Sequence, residues 1–410
     1  MAKIFSDRII TAIDIGTTKV CVLVAQVIDK HNFEIIGFGK ATSEGIRKGA
    51  VVDIGKTVHA IKSALKEAEL MIEQKLEWAV IGIADSLIQS VNSHGVVPIK
   101  HGQVTHHEIA QVLASARATV IPEGFQILHV IPQYYTIDGH DKVLDPLGMC
   151  GVRLEVQAHI IMGAVSCVQN LINCCQQAGI KVIDIVLEQL ASSEAVLSPD
   201  EKELGVAVLD IGGGTSDLAV YQHGSLRYTK VIPIAGSHFT NDLALGLHTT
   251  LKDAERVKKE YGLKCYESSA KDYIEVQAVH GAGVHQVPTH LVRHIINARA
   301  QEFVDIVHKE MVERNLKSIM ASGIVLTGGG SLLAAFDELI NISLEVPVRI
   351  GTPAIVATIP QTLKHPMYAT AYGLLKYALR RVHGMPSDDI GGPLVKRVLG
   401  KMKSWFFDFF

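Results

Sequence analysis

Val208-Leu209-Asp210-Ile211-Gly212-Gly213-Gly214-Thr215 has a near-copy earlier in the chain, Ala12-Ile13-Asp14-Ile15-Gly16-Thr17-Thr18-Lys19, with the two aspartates 196 residues apart. In each copy an apolar run ends at an Asp, a turn of small residues follows, and a second apolar run leaves (Val20 to Val27, Leu218 to Tyr221). That order predicts a β-hairpin with a polar tip. Overlaid, the copies also share a Val (Val24, Val220) and a Gln (Gln26, Gln222). One such hairpin alone is equally well read as a tight turn whose Asp bonds its own backbone. Two copies suit a further purpose: backbone N–H groups close on an anion from two sides, while each Asp holds the hydrated cation that accompanies it. The reading is a phosphate and magnesium clamp between two related halves.

A third element, Ile324-Val325-Leu326-Thr327-Gly328-Gly329-Gly330-Ser331, runs from an apolar strand into three glycines and then a helix-like stretch, Leu332 to Ile340. Glycines there permit close approach by a flat or charged ligand, and the helix N-terminus adds partial positive charge.

The order of these three motifs resembles the two phosphate loops and the adenosine loop of the actin, heat-shock chaperone and sugar kinase superfamily. Within it the chain is most similar to the FtsA family, membrane-tethering actin homologues of bacterial cell division. Ser43-Glu44-Gly45-Ile46-Arg47-Lys48-Gly49 with Val52-Asp53, Leu187-Glu188-Gln189-Leu190-Ala191-Ser192-Ser193-Glu194-Ala195, and Asp253-Ala254-Glu255-Arg256-Val257-Lys258 with Tyr261-Gly262 all fit, and the match covers essentially all 410 residues. The resemblance implies an α/β chain with an actin-like two-lobe ATPase fold and a duplicated mixed-sheet core. It implies subdomain IA at 1–84 and 162–197, a displaced subdomain IC at 85–161, subdomain IIA at 198–237 and 306–383, and subdomain IIB at 238–305. A linker, 384–392, and an amphipathic helix, 393–410, complete the chain.

Composition is compatible. At 410 residues and 48% hydrophobic the chain buries large cores and is too long for one simple domain. A net charge of −3 gives no case for nucleic acid. Cys21, Cys150, Cys167, Cys174, Cys175 and Cys265 lack zinc or paired disulfide spacing and read as reduced, small core residues. The histidines lack ligand spacing as well, so no structural metal is expected. Met1 to Ile10 does not resemble a signal peptide, and no stretch reaches the ~20 apolar residues of a span, so a cytoplasmic protein is expected.

Hydrophobic periodicity predicts strands at Ile9 to Ile15, Val20 to Val27, Glu34 to Lys40 and Trp78 to Ile83, with a helix from Lys56 to Glu69. The stretch from Gln89 to His159 reads as an insertion of strands around one helix, Thr105 to Ala118. The second lobe takes a mostly helical insertion from His238 to Asp305. Small residues along Tyr368 to Leu374 suit a close crossing of two helices.

Roles follow. Asp14 and Asp210 are expected to bind Mg²⁺ mainly through water. Gly16, Thr17, Thr18 and Lys19, with Gly212, Gly213, Gly214 and Thr215, are expected to receive the phosphates of ATP. Gly328, Gly329, Gly330 and Ser331 match the family's adenosine loop. Glu188 resembles the superfamily residue that positions an attacking water, and it equally suits a carboxylate favoured at a helix start. Glu255 and Lys258 match the family's ribose-holding pair, and by spacing alone they are an ordinary i,i+3 ion pair.

At the C-terminus, a helical period places Val395, Val398, Leu399, Met402, Trp405, Phe406 and Phe409 on one face, with Lys396, Arg397, Lys401 and Lys403 on the flanks and back. Aromatic residues beside four basic ones suit a helix lying in the plane of an anionic membrane surface. The family resemblance adds the remaining expectations. These are filaments of the chain itself, later division proteins met through subdomain IC, and the tail peptide of the tubulin-like protein FtsZ. The FtsZ tail would be received by the second-lobe insertion, with Arg293 and Arg299 exposed on a helix from Thr289 to Lys309. The place implied is the cytoplasmic face of the inner membrane at the septum. A pilus-assembly relative of PilM type and an actin-fold kinase are the alternatives.

Overall fold

The computed structural model describes residues 9–140, 142–263, 273–279, 283–353 and 361–382. The linker 384–392, the helix expected at 393–410 and Cys265 lie outside the described residues. The first lobe runs β1 (Ile9–Ile15), β2 (Lys19–Val27), β3 (Phe33–Thr42), a short pair β4 (Ile46–Arg47) and β5 (Ala50–Val51), α1 (Ile54–Ile72) and β6 (Trp78–Ile83). An inserted block follows, β7 (Gln89–Pro98), α2 (His106–Arg117), β8 (Phe125–Ile137) and β9 (Arg153–Ala164). The chain returns through α3 (Val165–Gln177), β10 (Lys181–Leu187), α4 (Glu188–Val196) and α5 (Pro199–Leu204).

The second lobe runs β11 (Val206–Ile211), β12 (Ser216–Gln222), β13 (Ser225–Ile232), α6 (Gly236–Gly246), α7 (Leu251–Tyr261), β14 (Tyr273–Gln277), β15 (Val284–Pro288) and α8 (Thr289–Glu313). It ends with β16 (Ile324–Thr327), α9 (Phe336–Leu344), β17 (Val348–Ile350) and α10 (Ala369–Val382).

The duplication is visible in the sheets. One has the order β10-β6-β1-β2-β3 and the other β13-β12-β11-β16-β17, each built on an antiparallel hairpin with a parallel partner alongside. β1, β2 and β11 are buried along nearly their whole length, so they read as continuous apolar runs rather than alternating ones. Helices cover the faces. α1 and α3 bury Ile61, Leu65 and Leu171 against the outer face of the first sheet, and α1 is started by Asp53, whose carboxylate accepts from Lys56 N at 2.9 Å. α4 and α10 lie in the core shared by both sheets, with Ala191, Tyr372 and Leu374 beside Ala12, Val80, Val208 and Val325. They cross closely: a Cβ on Gly373 would stand 1.7 Å from the Ala191 carbonyl oxygen.

The inserted block forms its own sheet, β7-β9-β8, with α2 on one face and a separate core of Val112, Leu154 and Ile160. Its other side meets β13, where Gln133 donates to the Leu226 carbonyl at 2.8 Å and His159 Nε2 lies 3.0 Å from Thr229 Oγ1.

The second-lobe insertion is mostly helical, as its sequence predicts, and also carries β14 and β15, which pair as an antiparallel hairpin. One expectation needs correction. The helix expected at Leu332 to Ile340 starts later, at Phe336. A short 3₁₀ turn, Gly329–Leu332, comes first, and Ala335 at φ 63° sits in the left-handed region and interrupts the apolar period.

Candidate functional site

Both hairpin turns close in the same way: Gly16 N donates to the Lys19 carbonyl and Gly212 N to the Thr215 carbonyl, each at 2.9 Å. The two tips face each other across the lobes. A Cβ on Gly213 would lie 2.4 Å from Thr18 Cγ2 and one on Gly214 2.4 Å from Thr17 Oγ1, so a larger residue in the second turn would push the lobes apart. The third glycine loop packs onto the second turn. Gly328 has φ 79°, and a Cβ there would stand 2.3 Å from Asp210 Oδ1. In that loop Ser331 donates its hydroxyl to the Gly328 carbonyl at 2.7 Å and fixes the loop's shape.

Register decides which charges meet. Asp14 lies opposite Cys21 and Asp210 opposite Asp217. Lys19, expected at the loop tip, begins β2, is largely buried and ion-pairs with Asp14. Burial would lower its pKa, but the Asp14 carboxylate outweighs this and holds the ammonium above the ordinary lysine range. Glu188, at the first position of α4, has its pKa raised well above the glutamate range by burial and by the carboxylates of Asp14, Asp217 and Asp210. Burial, then Asp210, raises Asp217 in the same way. Asp210 rises from 3.8 to about 6 through burial, although the Thr370 hydroxyl, donating at 2.9 Å, works against the rise. Burial pushes the Cys21 thiol up to about 12, which keeps it protonated and inert.

Asp217 and Thr370 escaped the sequence reading. The signal for Asp217 was present: overlaying the hairpins aligns it with Cys21, which places it across the strand pair from the Asp that was found. Thr370 sits on α10, far along the chain, and no local pattern marks it.

On the second-lobe side, Lys258 binds Glu255 at 2.6 Å, the Thr240 hydroxyl at 3.0 Å and the Gly236 carbonyl at 3.1 Å. Gly236 N in turn donates to the Gly212 carbonyl at 3.1 Å, which ties this pair to the second turn. Burial lowers the Lys258 pKa against the pull of Glu255. Burial also opposes the charge on Glu255, yet Lys258 outweighs it and leaves that carboxyl below its ordinary range.

Arg293 and Arg299 lie apart from this site, on α8, and are half-buried rather than exposed as expected. The Arg299 guanidinium is held by Asp242 at 2.5 and 3.0 Å and by Glu302 at 2.5 Å, so its charge is already engaged.

The residues present fit a nucleotide with its magnesium ion. Buried Asp217 Oδ1 has no hydrogen-bond partner among the described residues. The donors are hard carboxylate oxygens, and additional positive charge would offset the burial and the mutual repulsion that raise Glu188, Asp210 and Asp217. Among the described residues no three His, Cys, Asp or Glu side chains converge as direct ligands.

Known proteins resemble this chain along its length. Residues 207–373 match the family model described as cell division protein FtsA, and residues 86–162 match the SHS2 domain inserted in FtsA. The cell division protein FtsA of Neisseria meningitidis is 40% identical over 97% of this chain and 98% of its own length. That of Pseudomonas aeruginosa is 38% identical over 99% of both, and that of Escherichia coli 34% over 99% and 97%. Among solved structures, a chain of the PilM-PilN type IV pilus biogenesis complex superposes with a TM-score of 0.64 at 16% identity, covering 90% of this chain and 98% of that one. MreB5 of Spiroplasma citri bound to ADP gives 0.56 at 16%, covering 92% and 98%. At such identities these two show the fold, an actin-like ATPase fold, and the relatives show the lineage. The chain belongs to the FtsA family of cell division proteins.

Proposed function

We propose that the chain binds ATP with Mg²⁺ between its two hairpin turns, forms filaments on the cytoplasmic face of the inner membrane at the septum, and tethers FtsZ there. The observation that carries the nucleotide part is the meeting of Asp14, Glu188, Asp210 and Asp217 around the two matched turns, with Lys19 as their cation. In this reading the backbone of Gly16 to Thr18 and of Gly212 to Thr215 donates to phosphate oxygens, and Lys19 adds a positive charge. Asp14 and Asp210, joined by Asp217, accept hydrogen bonds from the ion's water shell. Bound magnesium supplies neutralisation of the phosphate charge. Glu188, whose proton affinity is raised by burial and its neighbours, would act in its ionised form, orienting a water and taking up its proton at the carboxylate. Glu255 and Lys258 hold the ribose hydroxyls, and the glycines 328 to 330 pass close to the base.

Family membership supports the cell-division role, and the basic and aromatic pattern at 393–410 supports the membrane contact. The pilus-assembly alternative rests on the fold likeness to PilM, which is weaker than full-length identity to FtsA relatives. The nucleotide reading is tested by titrating ATP against Asp210→Ala with and without magnesium. Loss of magnesium-dependent binding in a folded variant is expected, and unchanged affinity overturns the clamp.

A further inference from the structure

Two cavities of about 870 and 480 Å³ share Gln133, Tyr134, Lys142, His223 and Arg227 and form one continuous groove between β8 of the inserted block and β13 of the second lobe. It lies away from the paired turns. Lys142 Nζ stands 4.5 Å and Arg227 Cζ 5.5 Å from the centroid of the Tyr134 ring. Two cations against one ring repel each other unless an anion joins them. The buried Nε of Arg227 has no hydrogen-bond partner, and neither cation has an ion pair, among the described residues. Burial also holds this guanidinium below the ordinary arginine range.

A relay of ion pairs links the last described helix, α10, to the rim of the same groove. Arg380 on α10 binds Glu194 at 2.5 Å, and Glu194 binds Lys202 on α5 at 2.6 Å. The next residue, Glu203, lines the groove, and its carbonyl accepts from His223 N at 3.0 Å. Beyond Val382 the sequence runs through Ser387-Asp388-Asp389. At ~3.3 Å per residue, an extended chain from 382 to 389 reaches ~23 Å.

We propose that the groove is occupied by the chain's own Ser387-Asp388-Asp389 segment, with the two carboxylates meeting Lys142 and Arg227. One wall belongs to the inserted block and the other to the second lobe, so this docking makes the exit path of residues 393–410 depend on how those two bodies sit. A free peptide partner or a second copy could present the same acidic chemistry, and the test separates them.

Hydrogen–deuterium exchange is measured on the full chain without lipid, in the parent, in Asp388→Lys/Asp389→Lys, in Lys142→Glu/Arg227→Glu, and in the variant carrying all four changes. The tail variant leaves the folded body untouched, so it reads the contact even if the groove variant is destabilised. Exchange of segment 383–392 and of β13 is expected to rise about fivefold in each double variant and to return toward the parent in the combined one. Equal groove exchange in the parent and in Asp388→Lys/Asp389→Lys overturns the proposal. Protection that disappears on about tenfold dilution also overturns it, because the occupant is then a second copy.

Discussion

Replacing Asp210 by Asn should stabilise the folded chain in the absence of nucleotide while removing a group the site uses. The rise of the Asp210 pKa from 3.8 to about 6 is caused first by burial. At neutral pH the ionised carboxylate therefore costs the fold about 3 kcal/mol as an upper bound. The sign follows from proton counts. Between 3.8 and about 6 the folded state holds more protons than the unfolded one, so stability falls as pH rises through that window and the full cost is present above it. Asn keeps the shape and still accepts the Thr370 hydroxyl, but its amide N–H groups lack a designed partner and give back ~1 kcal/mol. The net gain is about 1–2 kcal/mol, or roughly 3–6 °C in unfolding midpoint for a lobe of this size. Thermal unfolding followed by circular dichroism at about pH 7.5 and about pH 5 is the assay; the cost should be about half as large at the lower pH. A variant that melts at or below the parent at the higher pH, or gains equally at both, would refute a charge-strained site.

Other outcomes follow from single contacts. Gly373→Val places side-chain atoms against the Ala191 carbonyl, so the α4–α10 crossing must separate at a cost above ~3 kcal/mol, seen as lost soluble yield or a much lower midpoint. Lys258→Ala leaves Glu255 without its closest cation and should weaken ATP binding about tenfold by calorimetry; unchanged affinity removes this pair from the site. Lys396→Glu with Lys401→Glu should weaken binding to anionic vesicles at least ~tenfold at low ionic strength and leave binding to neutral vesicles as it was.

The sequence made the paired turns legible because Asp, Gly and a flanking apolar run recur at one spacing, and the two sheets followed from that. What it hid was set by register and by distance. Asp217 is one strand away from its partner, and only pairing shows that the two carboxylates meet. Thr370 comes from a helix 160 residues beyond Asp210. Lys19 read as a tip residue because strands were assigned from Val20, whereas β2 begins one residue earlier and draws it inward. Arg299 read as exposed because helical periodicity finds the apolar face of α8 but says nothing of Asp242 on α6. The β14–β15 hairpin lies in a segment whose neighbours are strongly helical, and strands of five residues are too short for the alternation in Ile274-Glu275-Val276-Gln277 to stand out there.

The central claim, that this chain carries FtsZ to a membrane in a nucleotide-dependent way, is tested most directly by co-sedimentation of FtsZ with anionic vesicles. The full chain with magnesium and ATP should bring FtsZ into the vesicle pellet. Trp405→Glu, which puts a charge on the apolar face expected at 393–410, should leave both proteins in the supernatant. If FtsZ pellets equally with the parent and with Trp405→Glu, or stays soluble while the parent chain pellets alone, the account is contradicted.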